Sequence, residues 1–354
     1  MAEEKPKRVR RAANPLHVSA QQGLKEQRQA FEQANAIRKQ SDTLLNPDDI
    51  LNGKKDAGQL WRFVTSRGGG PLRPLTMEDL LEFSRQRDRL QKKFAGGIKL
   101  KDIIDLSLPL DRERAQKQIH APVPHTHRGG ELRFMTNAGP NSDSKRHYVT
   151  VNLRDFTAAV VSPKPAKEIV PLLLKGACSI SCDCGRWRYW YAYMATAGNY
   201  NADSRHRESA YPKIRNPNLH GLACKHILRT VVAIGQSPAI KAYLVRMVEA
   251  ERNRVSTQQT RVSKEQMLAL AEQMKSERSR TRQIKTSQEK RDQRKAQPGY
   301  QRQLEASRAR RANSASKPAA KAKVTDARFL QQLRDMGFSE AQAQAALAAT
   351  KTAS

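Results

Sequence analysis

Two short runs hold the residue types best suited to chemistry. Cys182-Asp183-Cys184 sets two thiols one residue apart, and Cys224-Lys225-His226 pairs a third thiol with an imidazole at the same spacing. A strand or tight turn lets both sulfurs of the first run reach one ion, and the second run does the same from the start of a helix. Three sulfurs and one imidazole complete a tetrahedral zinc shell with no open position. A closed shell is structural, because catalytic zinc keeps a place for water. Three of the chain's four cysteines fall in these runs, which argues against free buried thiols. Cys178 reads as a core residue. His206 and His220 lie near enough to compete, and His220 suits a supporting place behind a ligand. The sequence leaves open whether any of these three enters the shell.

These ligands need elements to position them. Ile227, Leu228, Val231, Val232 and Ile234 follow His226 at helical spacing, so the second run opens a helix whose dipole favours a thiolate. Upstream, residues 131–136 and 146–153 are strand-like. The run between them, 137–145, is rich in Asn, Gly, Pro, Asp and Ser, which predicts a β-hairpin with a long turn. Residues 177–181 lead straight into Cys182. This order, Cys-x-Cys and Cys-x-His after a hairpin and before an apolar helix, resembles the SWIM zinc-binding domain over residues 131–235. The four positions of that motif map onto Cys182, Cys184, Cys224 and His226. The resemblance implies a hairpin and short helix around one zinc, in a protein that binds DNA or protein. The 39 residues from 185 to 223 exceed the usual spacing of the family.

That insertion holds Trp187, Tyr189, Trp190, Tyr191, Tyr193, Tyr200 and Tyr211, seven of the chain's 19 aromatics. Trp187, Trp190, Tyr191 and Met194 share a helical face and read as core. Tyr189, Tyr193 and Tyr200 are the candidates for an exposed stacking face, with Arg186, Arg188, Arg205 and Arg207 to meet phosphates. The aromatic segment after the first pair, and an Asn216-Pro217 turn before the second, resemble SWIM-type proteins of tailed bacteriophages. That resemblance implies a phage protein in the host cytoplasm or the virion, with its basic surface toward packaged DNA.

Composition points to the same partner. Sixty-five Lys and Arg against 34 Asp and Glu leave a net charge of +31. Residues 241–323 hold 22 basic and 8 acidic groups, nearly half of the excess. Such a field attracts polyanions, with nucleic acid the default. Within this stretch Arg278, Arg280, Arg282, Arg291, Arg294, Lys295, Arg308, Arg310 and Arg311 are the candidate phosphate contacts. Beyond Met274 the sequence reads as disordered or as helical only on a polyanion. Too few large apolar residues lie there for a membrane-surface helix.

Hydrophobic residues make up 38% of the chain, below the roughly 45–50% of a dense globule. No apolar run approaches the ~18–20 residues of a membrane span, and residues 1–11 lack the apolar stretch of a secretory signal. Four cysteines do not make a disulfide framework, so a reducing compartment is expected. Thr76 with Asp79 caps a helix whose stripe is Leu80, Leu81, Phe83, Leu90 and Phe94. Ser237-Pro238 starts another helix, and Ser263 with Gln266 caps a third, with Met267, Leu268, Leu270 and Met274 on its apolar face. His120, His125 and His127, among Pro and Gly, read as a surface loop in preference to a metal site.

The expected class is α+β: a small zinc-stapled β-hairpin and helix domain flanked by helical and partly disordered basic segments. Its divisions are a basic arm (1–43), a helical segment (44–119), the zinc domain (120–240), the basic region (241–323) and a terminal hairpin (324–354). In the hairpin, Met336-Gly337-Phe338 resembles the contact loop of a ubiquitin-associated domain, which implies protein docking there. An Ala-rich helix without a partner is the open alternative. Acidic residues near the metal runs are sparse and no nucleophile–base pair is evident, so an enzyme is not expected. The expected function is zinc-stabilised DNA binding in a virion setting. The alternative is a virion structural protein that uses the zinc unit and the hairpin for protein contacts.

Overall fold

The computed structural model describes residues 45–140, 142, 144–254, 260–277, 283–297, 299–315 and 339–345, with isolated positions at 29, 32, 33, 36, 330, 331 and 334. Two units divide the chain, the first ending at Thr286 and the second beginning at Ser287. The first opens with α1 (Pro47–Leu51), a 3-10 turn (Ala57–Arg62) and the paired short strands β1 (Val64–Thr65) and β2 (Arg73–Pro74). Then come α2 (Met77–Phe94), β3 (Ile98–Lys99), α3 (Leu100–Asp105) and α4 (Pro109–Gln118). Strands β4 (Val123–Arg128), β5 (Glu131–Asn137) and β6 (Arg146–Leu153) follow, then α5 (Phe156–Val161), α6 (Ala166–Leu173) and β7 (Ala177–Cys182). A π-helical turn (Trp187–Tyr191), α7 (Ala192–Ala197), α8 (Lys225–Gln236), α9 (Pro238–Arg252), β8 (Thr260–Arg261) and α10 (Lys264–Ser276) complete it.

Six strands form one antiparallel sheet in the order β3-β7-β6-β5-β4-β8. The expected hairpin is its centre: β5 and β6 pair from Glu131 opposite Asn152 to Asn137 opposite Arg146. His147 through Val151 of β6 are all buried, the pattern of a strand covered on both faces. One hydrophobic core joins Leu80 and Phe83 of α2, Phe134, Val149, Val151 and Ile180 of the sheet, and Leu228 and Ile240 of α8 and α9.

Local chemistry explains the helix starts. Thr76 and Asp79 form a reciprocal capping box at α2, Ser263 and Gln266 form one at α10, and the Ser237 hydroxyl accepts from the Ile240 amide at α9. Leu80, Phe83 and Phe94 turn inward, as do Leu270 and Met274, whereas Leu81 and Leu268 from the expected stripes face solvent. A helix buries only one stripe, and these two leucines fall outside it.

The histidine loop is corrected outright, because residues 123–128 form strand β4 between β5 and β8. Pro124 cannot donate to a ladder, and the β4–β5 register shifts between Pro124 and Thr126. His127 is buried with its Nδ1 2.7 Å from the Tyr243 hydroxyl of α9. His120 is exposed and its amide donates to Asn137 Oδ1 at 2.8 Å.

Asp79 does more than cap a helix. Its buried carboxylate accepts from Arg73 at 2.7 and 3.0 Å and from Arg67 at 2.8 Å, tying β2 and the turn after β1 to α2. Hydrogen bonds from Arg73, then Arg67 and Thr76, outweigh burial and hold its carboxyl well below the usual carboxylate range. A depressed carboxylate contributes stability above its unfolded pKa, and that contribution is lost as pH falls through the folded value. Asp79→Asn is expected to cost roughly 2–3 kcal/mol at neutral pH. Urea midpoints of both proteins should differ constantly above pH ~5, draw together progressively below pH ~4, and meet only as pH nears the folded value. The gap isolates Asp79 because every other titrating group is common to both proteins, and a gap independent of pH would refute the ionised role.

The second unit contains α11 (Ser287–Lys295) and α12 (Tyr300–Ala315). No residue of α11 is buried. The expectation of disorder, or of helix only on a polyanion, meets two helical segments here in the chain by itself.

Candidate metal centre

Cys182 ends β7, where it pairs with Val149 of β6. The chain then turns at Asp183, whose carboxylate accepts from the Tyr148 amide at 3.1 Å and lies 2.9 Å from His147 Nδ1. Asp183 thereby fixes the turn against β6, with the Cys182 thiol 4.0 Å from the same carboxylate oxygen. The Trp187 amide, at the start of the π-helical turn, points at Cys184 Sγ from 3.3 Å. Such turns recur at functional sites, because the extra residue re-aims what precedes it.

Cys224 is the N-cap of α8, and its side chain makes no capping bond to the helix. The sulfur is committed elsewhere: Cys182, Cys184, Cys224 and His226 bring one ligand atom each within 4.8 Å of one another, and all four residues are buried. His226 Nδ1 lies 3.8 Å from Cys182 Sγ and 4.0 Å from Cys224 Sγ. Its Nε2 is buried with no hydrogen-bond partner among the described residues. The His147 ring lies 4.5 Å away, centroid to centroid.

Burial pushes the Cys182 and Cys184 thiols well up. Burial opposes ionisation of Cys224 too, but hydrogen bonds from Cys182, Cys184 and His226 outweigh it and hold that thiol down. Burial thus opposes three thiolates side by side. A cation in their midst would let all three ionise. Three sulfurs and an imidazole, sealed from water, fit a metal ion that prefers soft donors in a closed shell.

Cys178, as expected, is not in the cluster. It is fully buried and its thiol donates to the Ile98 carbonyl at 3.1 Å, with burial pushing its pKa up to about 12. His206 pairs with Asp203 at 2.9 Å, and His220 is exposed, so neither joins the four ligands. The turn before Cys224 is pinned by Asn216, whose amide nitrogen donates to the Trp190 and His220 carbonyls at 3.1 and 3.0 Å. Gly221 has φ +72°, and a Cβ there would stand 2.8 Å from Leu108. That turn therefore sits close against α4 and delivers Cys224 to β7.

The aromatic insertion divides unlike its expected pattern. Trp187, Tyr191 and Met194 are buried as foreseen, and Tyr189 is 44% exposed. Tyr193 and Tyr200, expected on an exposed face, are buried, as is Arg188. The cause is α2: Phe83 stacks on Tyr211 at 3.9 Å, Tyr211 meets Tyr193 at 5.0 Å, and Phe94 meets Tyr200 at 5.2 Å. Arg186 donates to Asp111 of α4 at 3.2 and 2.9 Å and lies 3.3 Å over the Trp190 ring. The Tyr191 hydroxyl donates to the same carboxylate. Arg205 and Arg207 are exposed, as are Arg291, Arg294, Lys295 and Arg308 of the second unit. Arg310 and Arg311 lie on α12 with side chains outside the description, and Arg278, Arg280, Arg282, Met336, Gly337 and Phe338 lie outside the described residues.

Three contributors escape sequence reading: His147, Asp183 in its role against β6, and Asp111. Only the position of Asp183 between two ligands marked it in advance. Among the described residues no helix is long and apolar enough to cross a membrane. Comparison with protein families, with curated proteins and with solved structures finds no match for the chain.

Proposed function

We propose that this chain is a zinc-stabilised, strongly basic DNA-binding protein of a phage virion. In this reading a SWIM-type centre fixes the fold and exposed cations carry the nucleic acid. One observation carries it: a sealed four-donor centre occurs in a chain whose helix α11 buries nothing while presenting Arg291, Arg294 and Lys295 to solvent. The centre is suited to structure, since it has no room for substrate, and the helix is suited to a polyanion.

Zinc is the ion the donors favour. Bonds of about 2.3 Å to sulfur and about 2.0–2.1 Å to nitrogen, at the tetrahedral angle, separate the ligand atoms by about 3.5–3.8 Å. The distances of 3.8 and 4.0 Å from His226 Nδ1 to two sulfurs need only a small contraction to match.

The reading predicts strong salt dependence. A protein that neutralises about six phosphates should lose roughly a thousandfold in affinity for a short DNA duplex between about 50 and 200 mM salt. Fluorescence anisotropy measures this directly, and an affinity that holds within twofold across that range would refute DNA binding. The second reading, a virion assembly protein, is favoured by Met77 and Leu81, one turn apart on α2 and both exposed. It requires association with virion proteins that survives nuclease treatment.

A further inference from the structure

Asp111, Arg114 and Gln118 share one face of α4. With Pro140, Arg186 and Lys225 they line a cleft of about 250 Å³ beside the metal centre. Half of these lining groups are cations. The one carboxylate is already engaged, since Asp111 accepts two bonds from Arg186 and one from the Tyr191 hydroxyl. Lys225 Nζ donates to the neutral Gln118 Oε1 at 2.7 Å. Arg114 is exposed and forms no ion pair among the described residues. Two positive charges, Arg114 and Lys225, therefore converge on a cleft whose one carboxylate, Asp111, is engaged by Arg186 and Tyr191.

The cleft is also selective in size. At about 250 Å³ it falls below the roughly 300–1,000 Å³ that encloses a whole small organic ligand. A phosphoryl group with its water fits that volume. Arg114 offers the planar fork that matches phosphate oxygens, and Lys225 offers a point charge. Lys225 stands between two metal ligands, Cys224 and His226, so its backbone is held wherever the centre is formed. Arg186 is held by Asp111 beneath and lies over Trp190.

We propose that this cleft binds a phosphate group, supplied by the backbone of a nucleic acid. The choice of source rests on the DNA-binding reading, and the phosphate chemistry does not. The site would set a strand in fixed register against the metal-held core, where the exposed cations of α11 supply only general attraction.

Arg114→Gln removes one charge from an exposed position and leaves the buried network intact. Lys117→Gln removes an equal charge from the same helix outside the cleft, where Lys117 pairs with Glu113. Both full-length, zinc-loaded variants, with Lys225→Gln as a third, are titrated with a short DNA duplex and separately with inorganic phosphate. Arg114→Gln is expected to weaken both probes roughly tenfold, the scale of one charge-assisted hydrogen bond, and to lower the salt slope by about 1. Lys117→Gln is expected to change either by less than twofold. Lys225→Gln should follow Arg114→Gln, with zinc content measured to confirm that the centre persists. If Arg114→Gln matches Lys117→Gln on both probes, the cleft is not a phosphate site. If the wild type binds phosphate through Arg114 but no DNA, the cleft stands with free phosphate as its ligand and the DNA reading fails. If DNA binding is intact in all three variants while phosphate binding is lost in Arg114→Gln, the cleft again stands and DNA docks elsewhere.

Discussion

Cys224→Ala is expected to release the metal and unfold the first unit at room temperature. Cys224 is fully buried at the start of α8, the helix that sends Ile227, Leu228, Val231, Val232 and Ile234 into the core. Cys182 and Cys184 come from the end of β7 and the turn after it, and His226 from α8 itself, so the centre joins the sheet to that helix. Apparent binding of a structural zinc is worth about 10–16 kcal/mol near pH 7. The whole stability of a typical domain is about 5–15 kcal/mol. Loss of the ion therefore offsets most of what folding gains, and the residual burial of unpaired thiols and an imidazole adds cost. Zinc content should fall from one ion per chain to none, with near-ultraviolet circular dichroism and the cooperative urea transition lost together. Cys178→Ala is the contrast. That thiol is a neutral core group with one hydrogen bond to Ile98, so its removal should cost about 1–2 kcal/mol and leave the zinc in place. A Cys224→Ala protein with a wild-type transition would show that packing alone forms this unit. A Cys178→Ala protein without zinc would place the fourth sulfur in the shell.

Sequence reading succeeds here where the signal is local. The two metal runs, the capping residues Thr76 and Ser263, the hairpin of residues 131–153 and the apolar face of α8 each lie within a few residues of their cause. It falls short where the partner is distant. His127 reads as a loop residue until Tyr243, 116 positions onward, supplies a buried hydrogen bond. Tyr193 and Tyr200 read as stacking platforms until Tyr211, stacked on Phe83 of α2, meets the first and Phe94 of α2 meets the second. Arg186 reads as a phosphate contact until Asp111, 75 positions upstream, takes two of its donor hydrogens. A basic and aromatic composition is the same whether such side chains face solvent or close a core, and only the placement of α2 and α4 decides it. The same placement brings Arg114 and Lys225 to one cleft, a convergence no local pattern announces.

Replacing Arg291, Arg294 and Lys295 together with Gln is expected to weaken DNA binding about a hundredfold near 150 mM salt and to lower the salt slope by about 2.7. The three cations recur at spacings of three and four along α11, so they line one helical face. All three are exposed. Arg291 donates to Gln288 at 2.8 Å and Gln288 donates to Asp292 at 2.9 Å, so the helix is held by surface contacts of its own. A helix without a buried face gains little from packing, and phosphates along a strand would supply the counter-charge it lacks. Since none of these side chains is buried, the triple variant should retain its zinc and its unfolding midpoint, which Cys224→Ala should not. The two variants thus separate holding the fold from holding the DNA. If the triple variant binds DNA as the wild type does, attraction must come from other cations, Arg308 of the second unit or Arg205 and Arg207 of the first, all exposed. Binding through the first unit would then fall with the metal. If it falls with the triple variant and survives chelation, the metal centre serves the scaffold alone, and the cations of α11 act as a polyanion arm that needs no fixed fold around it.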